Sequence, residues 1–313
     1  MLQVGINGVV MRVRRVILVT GMPRSGTTVI GEMLTFESGT AELYEPMSNQ
    51  VGDFRIRNQF ELIGPAGFSR AQAQTFVTAV RRGHLWGKWP SAESKRNPLF
   101  NRTRRTMLRL ALDPRVHTVV WKDPFAVFWA DWLARQGEVS VVFTLREPLA
   151  SAASFVRMGW SFDCEALVQR LRANGDLVEP APGRPADVSV ACHSAAVLWR
   201  LIHLKLRDWL VAQSSICVIE IEDNLTKPDA VAAALTAATG LHVAPPPALA
   251  AAPTGELPRK AHLRGRSSDS ITNYWQSVLS ASEVAFCTEQ TAALYAEVRA
   301  LLHRRSQPAP VSP

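Results

Sequence analysis

The sequence predicts an α/β protein with a P-loop-type three-layer fold, in which a central, mainly parallel sheet is flanked by helices. Three observations lead to this prediction. Short apolar strands alternate with helices along most of the 313 residues, as in a sheet whose parallel strands are joined by helical crossovers. The strands are near-continuous apolar runs, which is typical of sheets buried on both faces. The first strand, VILVT, runs directly into a glycine loop that opens a helix.

The individual elements are predicted from apolar periodicity and from start and stop signals. Gly83 is such a stop signal, and Pro148 suits the first position of a helix. In chain order, the predictions are a strand at 16–20, a helix at 27–36, a strand at 41–45, helices at 68–82 and 101–112, a strand at 117–124, a helix at 126–136, a strand at 139–147, helices at 148–158 and 190–213, a strand at 217–223, and helices at 228–240 and 281–302.

We expect one α/β domain over residues 1–313. Residues 1–13 are a candidate extension, because the first ten show no periodicity. The stretch 242–258 is rich in Pro and Ala and is predicted to be a surface linker, and the polar residues 304–313 are predicted to be a flexible tail.

Composition and charge indicate which kinds of ligand, location and cysteine chemistry to expect. Lys plus Arg exceed Asp plus Glu by 8, which favours polyanionic ligands. The arginines are scattered and no RNA- or DNA-binding motif is present, so nucleic acid is not expected as a partner. No apolar run is long enough for a membrane span, and the basic start leads to no cleavage site, so we expect a cytoplasmic protein. The 4 cysteines are far apart and predict neither a disulfide framework nor a metal site.

The stretch GMPRSGTT, residues 21–28, has the glycine spacing of a phosphate-binding Walker A loop. The usual lysine is missing, since Thr27 occupies its place, and the cation of the loop is Arg24. The N-terminus of a helix stabilises an anion through its backbone N–H groups and its dipole. We therefore expect anion binding by Arg24, Ser25, Gly26, Thr27 and Thr28, with hydroxyl donors from the serine and the threonines.

A second cluster follows a later strand. Arg146 closes that strand, and Ser154 lies on the next helix, where an arginine and a hydroxyl are expected to bind a second phosphate. Ligands of an open parallel sheet bind beyond the carboxyl ends of its strands. Because Arg24, Glu45, Lys122 and Arg146 all follow such ends, we expect them to converge on one site.

With its PRSGTT loop after the first strand and with Arg146 and Ser154 eight residues apart, the chain resembles sulfotransferases that use 3′-phosphoadenosine-5′-phosphosulfate (PAPS) over residues 14–160. The resemblance is closer to the glycan-directed and bacterial branch than to the phenol-directed cytosolic branch. It implies that the loop holds the 5′-phosphosulfate, that Arg146 and Ser154 hold the 3′-phosphate, and that Arg24 is the catalytic basic residue. It also implies PAPS as donor, adenosine 3′,5′-bisphosphate as product and no metal.

The acceptor hydroxyl requires a general base, for which two carboxylates compete. Glu45, in the sequence LYEP, follows a strand end and resembles the Glu-Pro arrangement of glycan-directed relatives. Asp123 is the alternative base, or else a partner of Lys122 or Arg146. The phenol-directed branch has a histidine two residues after its strand-end lysine, where this chain has Pro124. Lys122 is expected to contact the donor.

Near the C-terminus, the basic segment with Arg264, Gly265 and Arg266 resembles one that covers the 3′-phosphate in family members. The resulting hypothesis is sulfuryl transfer to a hydroxyl, or an amine, of a carbohydrate, lipid or secondary metabolite. Two alternatives remain at this stage. One is a P-loop kinase or NTPase, for which HTVVWKD provides a faint Walker B pattern, and the other is a nucleotide-binding module without catalysis.

Overall fold

A computed structural model represents the chain. It describes residues 3–4, 10–11, 14–88, 101–245 and 273–306. Several predicted features lie wholly or largely outside these ranges, namely the extension at 1–13, residues 246–258 of the linker, the segment with Arg264, Gly265 and Arg266, and residues 307–313 of the tail.

Five parallel strands form the central sheet in the order β4-β5-β3-β6-β7. Two further short strands, β1 and β2, pair antiparallel with each other. The strands are β1 (Gln3–Val4), β2 (Val10–Met11), β3 (Arg15–Gly21), β4 (Thr40–Tyr44), β5 (Thr118–Lys122), β6 (Val139–Leu145) and β7 (Cys217–Glu220).

Helices cover the sheet and connect its strands. They are α1 (Thr27–Leu34), α2 (Arg70–Arg82), α3 (Arg102–Leu112), α4 (Ala130–Gln136), α5 (Pro148–Met158), α6 (Cys164–Ala173), α7 (Val190–Val211), α8 (Asp223–Thr226), α9 (Pro228–Thr239) and α10 (Ala281–Ser306). Within the described ranges, no helix combines the length and the apolar character that crossing a membrane requires.

The central strand β3 shows why the fold has three layers. Successive side chains of a strand point to opposite faces. Val16 and Leu18 therefore belong to one apolar cluster, together with residues of α2, α5, α7 and α10, whereas Ile17 and Val19 belong to a second cluster with residues of α1 and α9. Both faces of the sheet are buried, which confirms the predicted fold class.

The carboxyl ends of the strands meet at one edge of the sheet. Just beyond β5, the N–H of Asp123 donates to the carbonyl of Val19 in β3 at 2.9 Å. Beyond β7, the N–H of Ile221 donates to the carbonyl of Leu145 in β6 at 2.9 Å. Residues that follow different strands are therefore neighbours in space.

The structure departs from the sequence prediction in several places, and the short elements β1, β2 and α8 were not predicted. The helix expected at 126–136 begins as a 3₁₀ helix at Pro124–Trp129, which Asp123 caps by accepting from the N–H of Phe125 at 2.9 Å. Helix α6 was not predicted, although its N-cap, Asp163, accepts from the N–H of Ala166 at 2.9 Å. Helix α10 runs to Ser306 and includes the start of the predicted tail.

His203 of α7 is a fully buried titratable group in the core. Its ring stacks on that of Trp199, with centroids 3.8 Å apart, and its Nδ1–H donates to the Trp199 carbonyl at 2.6 Å. Among the described residues, its Nε2 has no hydrogen-bond partner. Burial lowers the pKa of His203 from 6.5 to about 3, because the charged form would lose its hydration.

We expect acid to destabilise the protein through His203. The unfolded chain binds the extra proton between the folded and unfolded pKa values, so the contribution of His203 is complete above the unfolded pKa and is lost as the pH falls below it. His203→Asn keeps an N–H but does not titrate. When the pH falls from about 6.5 to about 5, the unfolding free energy of the wild type should decrease by about 2 kcal/mol more than that of the variant. Urea unfolding at both pH values measures it, and parallel pH curves would contradict it.

Candidate active site

The glycine loop between β3 and α1 has positive φ angles that favour glycine and uncapped helix N–H groups that favour anion binding. Gly21 has φ 147°, and Gly26, the N-cap of α1, has φ 93°. Since no side chain caps this helix, its first N–H groups point into the loop without a capping oxygen, as in phosphate-binding helix termini. Arg24 also has a positive φ, 74°, which is uncommon for a residue with a side chain.

Close packing beneath the loop explains its two glycines. A Cβ on Gly21 would lie 2.4 Å from the carbonyl oxygen of Thr144, and one on Gly26 would lie 2.5 Å from the Ile221 side chain. Ser25 is fully buried, and its hydroxyl is 2.6 Å from that of Thr144. Because the Thr144 hydroxyl donates to the Thr20 carbonyl, Ser25 donates to Thr144. The predicted donation from the Ser25 hydroxyl to an anion therefore has a competing partner, and its contact with a ligand stays a prediction.

The two predicted anion-binding clusters meet in space, although the chain separates them by 130 residues. Arg24 Nε donates to Ser154 Oγ at 3.0 Å. Arg146 Nη1 donates to the carbonyl of Arg24 at 2.8 Å. Trp199 Nε1 donates to the carbonyl of Arg146 at 3.0 Å and so holds the end of β6. The structure thus brings together Arg24, Arg146 and Ser154, as the sequence led us to expect.

Helix α5 is positioned by a carboxylate at its start. Glu147 is its N-cap, accepting from the N–H of Ala150 at 2.7 Å, and Glu222, after β7, accepts from the N–H of Glu147 at 3.1 Å. Burial raises the pKa of both carboxyl groups, and the charge of Arg146 opposes this increase in each. The start of α5, with Arg146 before it, is therefore anchored beside β6 and β7 through hydrogen bonds from backbone N–H groups to the two carboxylates.

Glu45 and Lys122 form an ion pair at the same edge of the sheet. Lys122 Nζ lies 2.6 Å from Glu45 Oε1, and the Lys122 side chain is 4% exposed whereas that of Glu45 is 20% exposed. The Glu45 N–H donates to the Lys122 carbonyl at 2.8 Å, which fixes Glu45 in a left-handed conformation with φ 46°. Gly31 of α1 provides the space for the lysine stem, since a Cβ there would lie 3.3 Å from Lys122 Cγ.

Asp123 has a different environment from Glu45. It is fully buried, and its carboxylate accepts from the N–H groups of Met47 at 2.6 Å and Phe125 at 2.9 Å and from Trp121 Nε1 at 3.3 Å. Burial, and secondly the charge of Glu45, raises the pKa of Asp123 to about 7. Asp123 thus ties the segment after Glu45 to β5, whereas the sequence analysis considered an ion pair with Lys122 or Arg146.

Three further side chains at this edge were missed by the sequence analysis. Trp160, 38% exposed, follows α5, and the Arg24 guanidinium carbon lies 5.6 Å from its ring centroid. Tyr274 lies next to Arg146, and Arg157 of α5 contacts the same Tyr274 ring. No motif marks any of them, because their proximity depends on how α5 packs and not on spacing along the chain.

The remaining predicted site residues are Thr27, Thr28 and the basic segment near the C-terminus. Thr27 is buried and Thr28 half-buried at the start of α1, beside the loop as predicted. Arg264, Gly265 and Arg266 lie outside the described residues. In the part of the chain that is described, no group of three or more His, Cys, Asp or Glu side chains is arranged to hold a metal ion, and the expectation that no metal takes part stays a prediction.

Comparisons with known proteins identify the family. The profile of the Sulfotransferase family matches residues 16–245. A search of curated proteins found no match. Among solved structures, the chain is similar to the sulfotransferase domain of the olefin synthase from Synechococcus PCC 7002, with 14% identity, a TM-score of 0.38 and coverage of 99% of this chain and 100% of that one. Since the profile spans well over half of its residues, the chain belongs to the sulfotransferase family.

Proposed function

We propose that the protein transfers a sulfuryl group from PAPS to a hydroxyl, or an amine, of a carbohydrate, lipid or secondary-metabolite acceptor and releases adenosine 3′,5′-bisphosphate. Membership of the family supports sulfuryl transfer. The observation that carries the choice of donor is the hydrogen bond from Arg24 to Ser154. It joins the glycine loop to the anion-binding cluster of Arg146 and Ser154. One nucleotide with anionic groups at two positions is therefore expected to contact the loop and this cluster together.

Each end of the nucleotide has its own set of groups in this proposal. The 5′-phosphosulfate binds at the loop, through Arg24 and the first N–H groups of α1. The 3′-phosphate binds at Arg146 and Ser154. ATP has no 3′-phosphate, and the loop lacks the Walker lysine, so the arrangement favours PAPS over a nucleoside triphosphate.

The transfer step is an in-line displacement at sulfur. The acceptor oxygen forms a bond to sulfur while the bond from sulfur to the bridging oxygen breaks, and the hydroxyl proton passes to the base. Negative charge builds on the bridging and equatorial oxygens. By analogy with phosphoryl transfer, positioned cations and N–H groups lower the barrier, and Arg24, Lys122 and the loop are the groups for this role.

Glu45 is the base in this proposal, because a general base must reach the acceptor hydroxyl. Its side chain is partly exposed at the edge of the sheet, and its carboxylate contacts Lys122. Asp123 is fully buried, and its carboxylate already accepts three hydrogen bonds. Those hydrogen bonds also argue against Asp123 as the metal ligand of a kinase or NTPase.

Calorimetry with three nucleotides tests the proposal. We expect adenosine 3′,5′-bisphosphate to bind more tightly than adenosine 5′-monophosphate and more tightly than ATP with Mg²⁺. Incubation with PAPS and a library of glycan, lipid and metabolite acceptors then tests turnover. Tightest binding of ATP with Mg²⁺ would contradict the proposal, and binding of the bisphosphate without transfer to any acceptor would identify a nucleotide-binding module.

Arg146→Ala should weaken binding of adenosine 3′,5′-bisphosphate by about tenfold to a hundredfold, because charge-assisted hydrogen bonds to the 3′-phosphate are lost. Titration of both proteins by calorimetry measures the change. Arg105→Ala is the matched control, since Arg105 is an exposed arginine of α3, and its removal lowers the net charge equally. Equal affinity in wild type and Arg146→Ala would remove Arg146 from the nucleotide site.

A further inference from the structure

Arg157 is a partly buried cation that the proposed roles do not use. It lies on α5, one helical turn beyond Ser154, so both side chains are neighbours on the helix surface. Its Nε and Nη1 atoms are buried and have no hydrogen-bond partner within the described ranges. Buried N–H groups without an acceptor are costly, and this cost indicates a ligand that the side chain is placed to bind.

The Tyr274 ring contacts both Arg157 and Arg146. The Tyr274 hydroxyl donates to the carbonyl of Ala150 at 2.9 Å, which fixes the ring against α5. The guanidinium carbons of Arg146 and Arg157 each lie 5.8 Å from the centroid of this ring. Two guanidinium groups therefore share one aromatic side chain, and Arg157 follows Ser154, whose hydroxyl accepts from Arg24, by one turn of α5.

The charges around the two arginines differ. Arg146 lies near the carboxyl groups of Glu147 and Glu222, whose pKa values its charge lowers against the effect of burial. For Arg157, no ion pair with a carboxylate is present in the described part of the chain. The face of an aromatic ring attracts a cation but accepts few of its N–H groups. An anion with several acceptor oxygens would satisfy both the charge and the N–H groups.

We propose that Arg157 binds the 3′-phosphate of the nucleotide, as a third polar contact beside Arg146 and Ser154, and determines the preference for 3′-phosphorylated nucleotides. This inference rests on the proposed function. Two oxygens of a phosphate group accept the planar fork of a guanidinium in bidentate fashion.

The test compares two nucleotides that differ only in the 3′-phosphate. Calorimetry with adenosine 3′,5′-bisphosphate and with adenosine 5′-monophosphate is applied to wild type, Arg157→Ala, Arg157→Lys and the charge-matched control Arg105→Ala. Arg157→Ala should weaken binding of the bisphosphate by about tenfold to a hundredfold and leave the affinity for the monophosphate unchanged. Arg157→Lys should retain part of the affinity, because the charge remains and the fork is lost. Arg105→Ala should bind both nucleotides like the wild type.

Thermal melting without nucleotide separates binding from folding. Because the cost of the unpaired Nε and Nη1 atoms offsets the contact with Tyr274, Arg157→Ala should melt no lower than the wild type, whereas the stabilisation by the bisphosphate should shrink. A lower melting temperature together with equal loss of both nucleotides would show a structural role and overturn the inference. Unchanged bisphosphate affinity in Arg157→Ala would overturn only the inference about Arg157. A wild type that does not bind the bisphosphate would overturn both this inference and the proposed function.

Discussion

Glu45→Gln should lower the turnover number for sulfuryl transfer by about 100-fold to 10,000-fold, the usual contribution of a general base. Glutamine keeps an oxygen that accepts from Lys122 Nζ, now 2.6 Å from Glu45 Oε1, but its amide does not take the proton of the acceptor hydroxyl. The affinity for adenosine 3′,5′-bisphosphate should stay the same, because Glu45 has no role in nucleotide binding. Turnover at saturating PAPS and calorimetry of the bisphosphate measure the two quantities.

Glu42→Gln is the matched control for this prediction. Glu42 lies on β4, the strand that Glu45 follows, and is also paired with a cation, since Arg102 Nη2 lies 2.9 Å from its carboxylate. Its substitution removes the same charge and should preserve turnover. If Glu45→Gln turns over at the rate of the wild type, or if Glu42→Gln loses as much, Glu45 is not the base.

Gly21→Ala should reduce the free energy of unfolding by about 4 kcal/mol, through backbone strain and overpacking together. The residue has φ 147°, where side chains are disfavoured. The added Cβ would meet the Thr144 backbone carbonyl oxygen at 2.4 Å and its hydroxyl at 2.6 Å. Because that carbonyl belongs to β6, an inner strand of the sheet, relief requires a shift of the sheet or of the loop. Urea unfolding of wild type and variant measures the loss.

Gly137→Ala provides the comparison that isolates the packing contribution. Gly137 also has a positive φ, 69°, but a Cβ there has nothing within 4 Å. Its substitution should cost only the left-handed strain, about 1 to 2 kcal/mol. Equal losses in Gly21→Ala and Gly137→Ala would mean that the contact with Thr144 contributes nothing.

The local elements were predictable because their signals are local. The first strand and helix were expected at 16–20 and 27–36 and are found at Arg15–Gly21 and Thr27–Leu34, since an apolar run and a glycine loop act over a few residues. Helix α6 has a local start signal in the sequence, the N-cap Asp163, although it was not among the predicted helices. The 3₁₀ turn at Pro124–Trp129 was not predictable from periodicity, because it depends on capping by the buried Asp123 carboxylate.

The sequence by itself determined the α/β class, the glycine loop, the family resemblance and the residues that follow each strand end. Which of those residues touch was decided only by the tertiary structure. Glu45 and Lys122 pair because β4 lies beside β5, and Arg24 meets Ser154 and Arg146 because β3 lies beside β6. Strand order in a sheet is set by the packing of helices and sheet as a whole. Spacing along the chain therefore predicts which side chains reach the edge, while the order of the strands selects their partners.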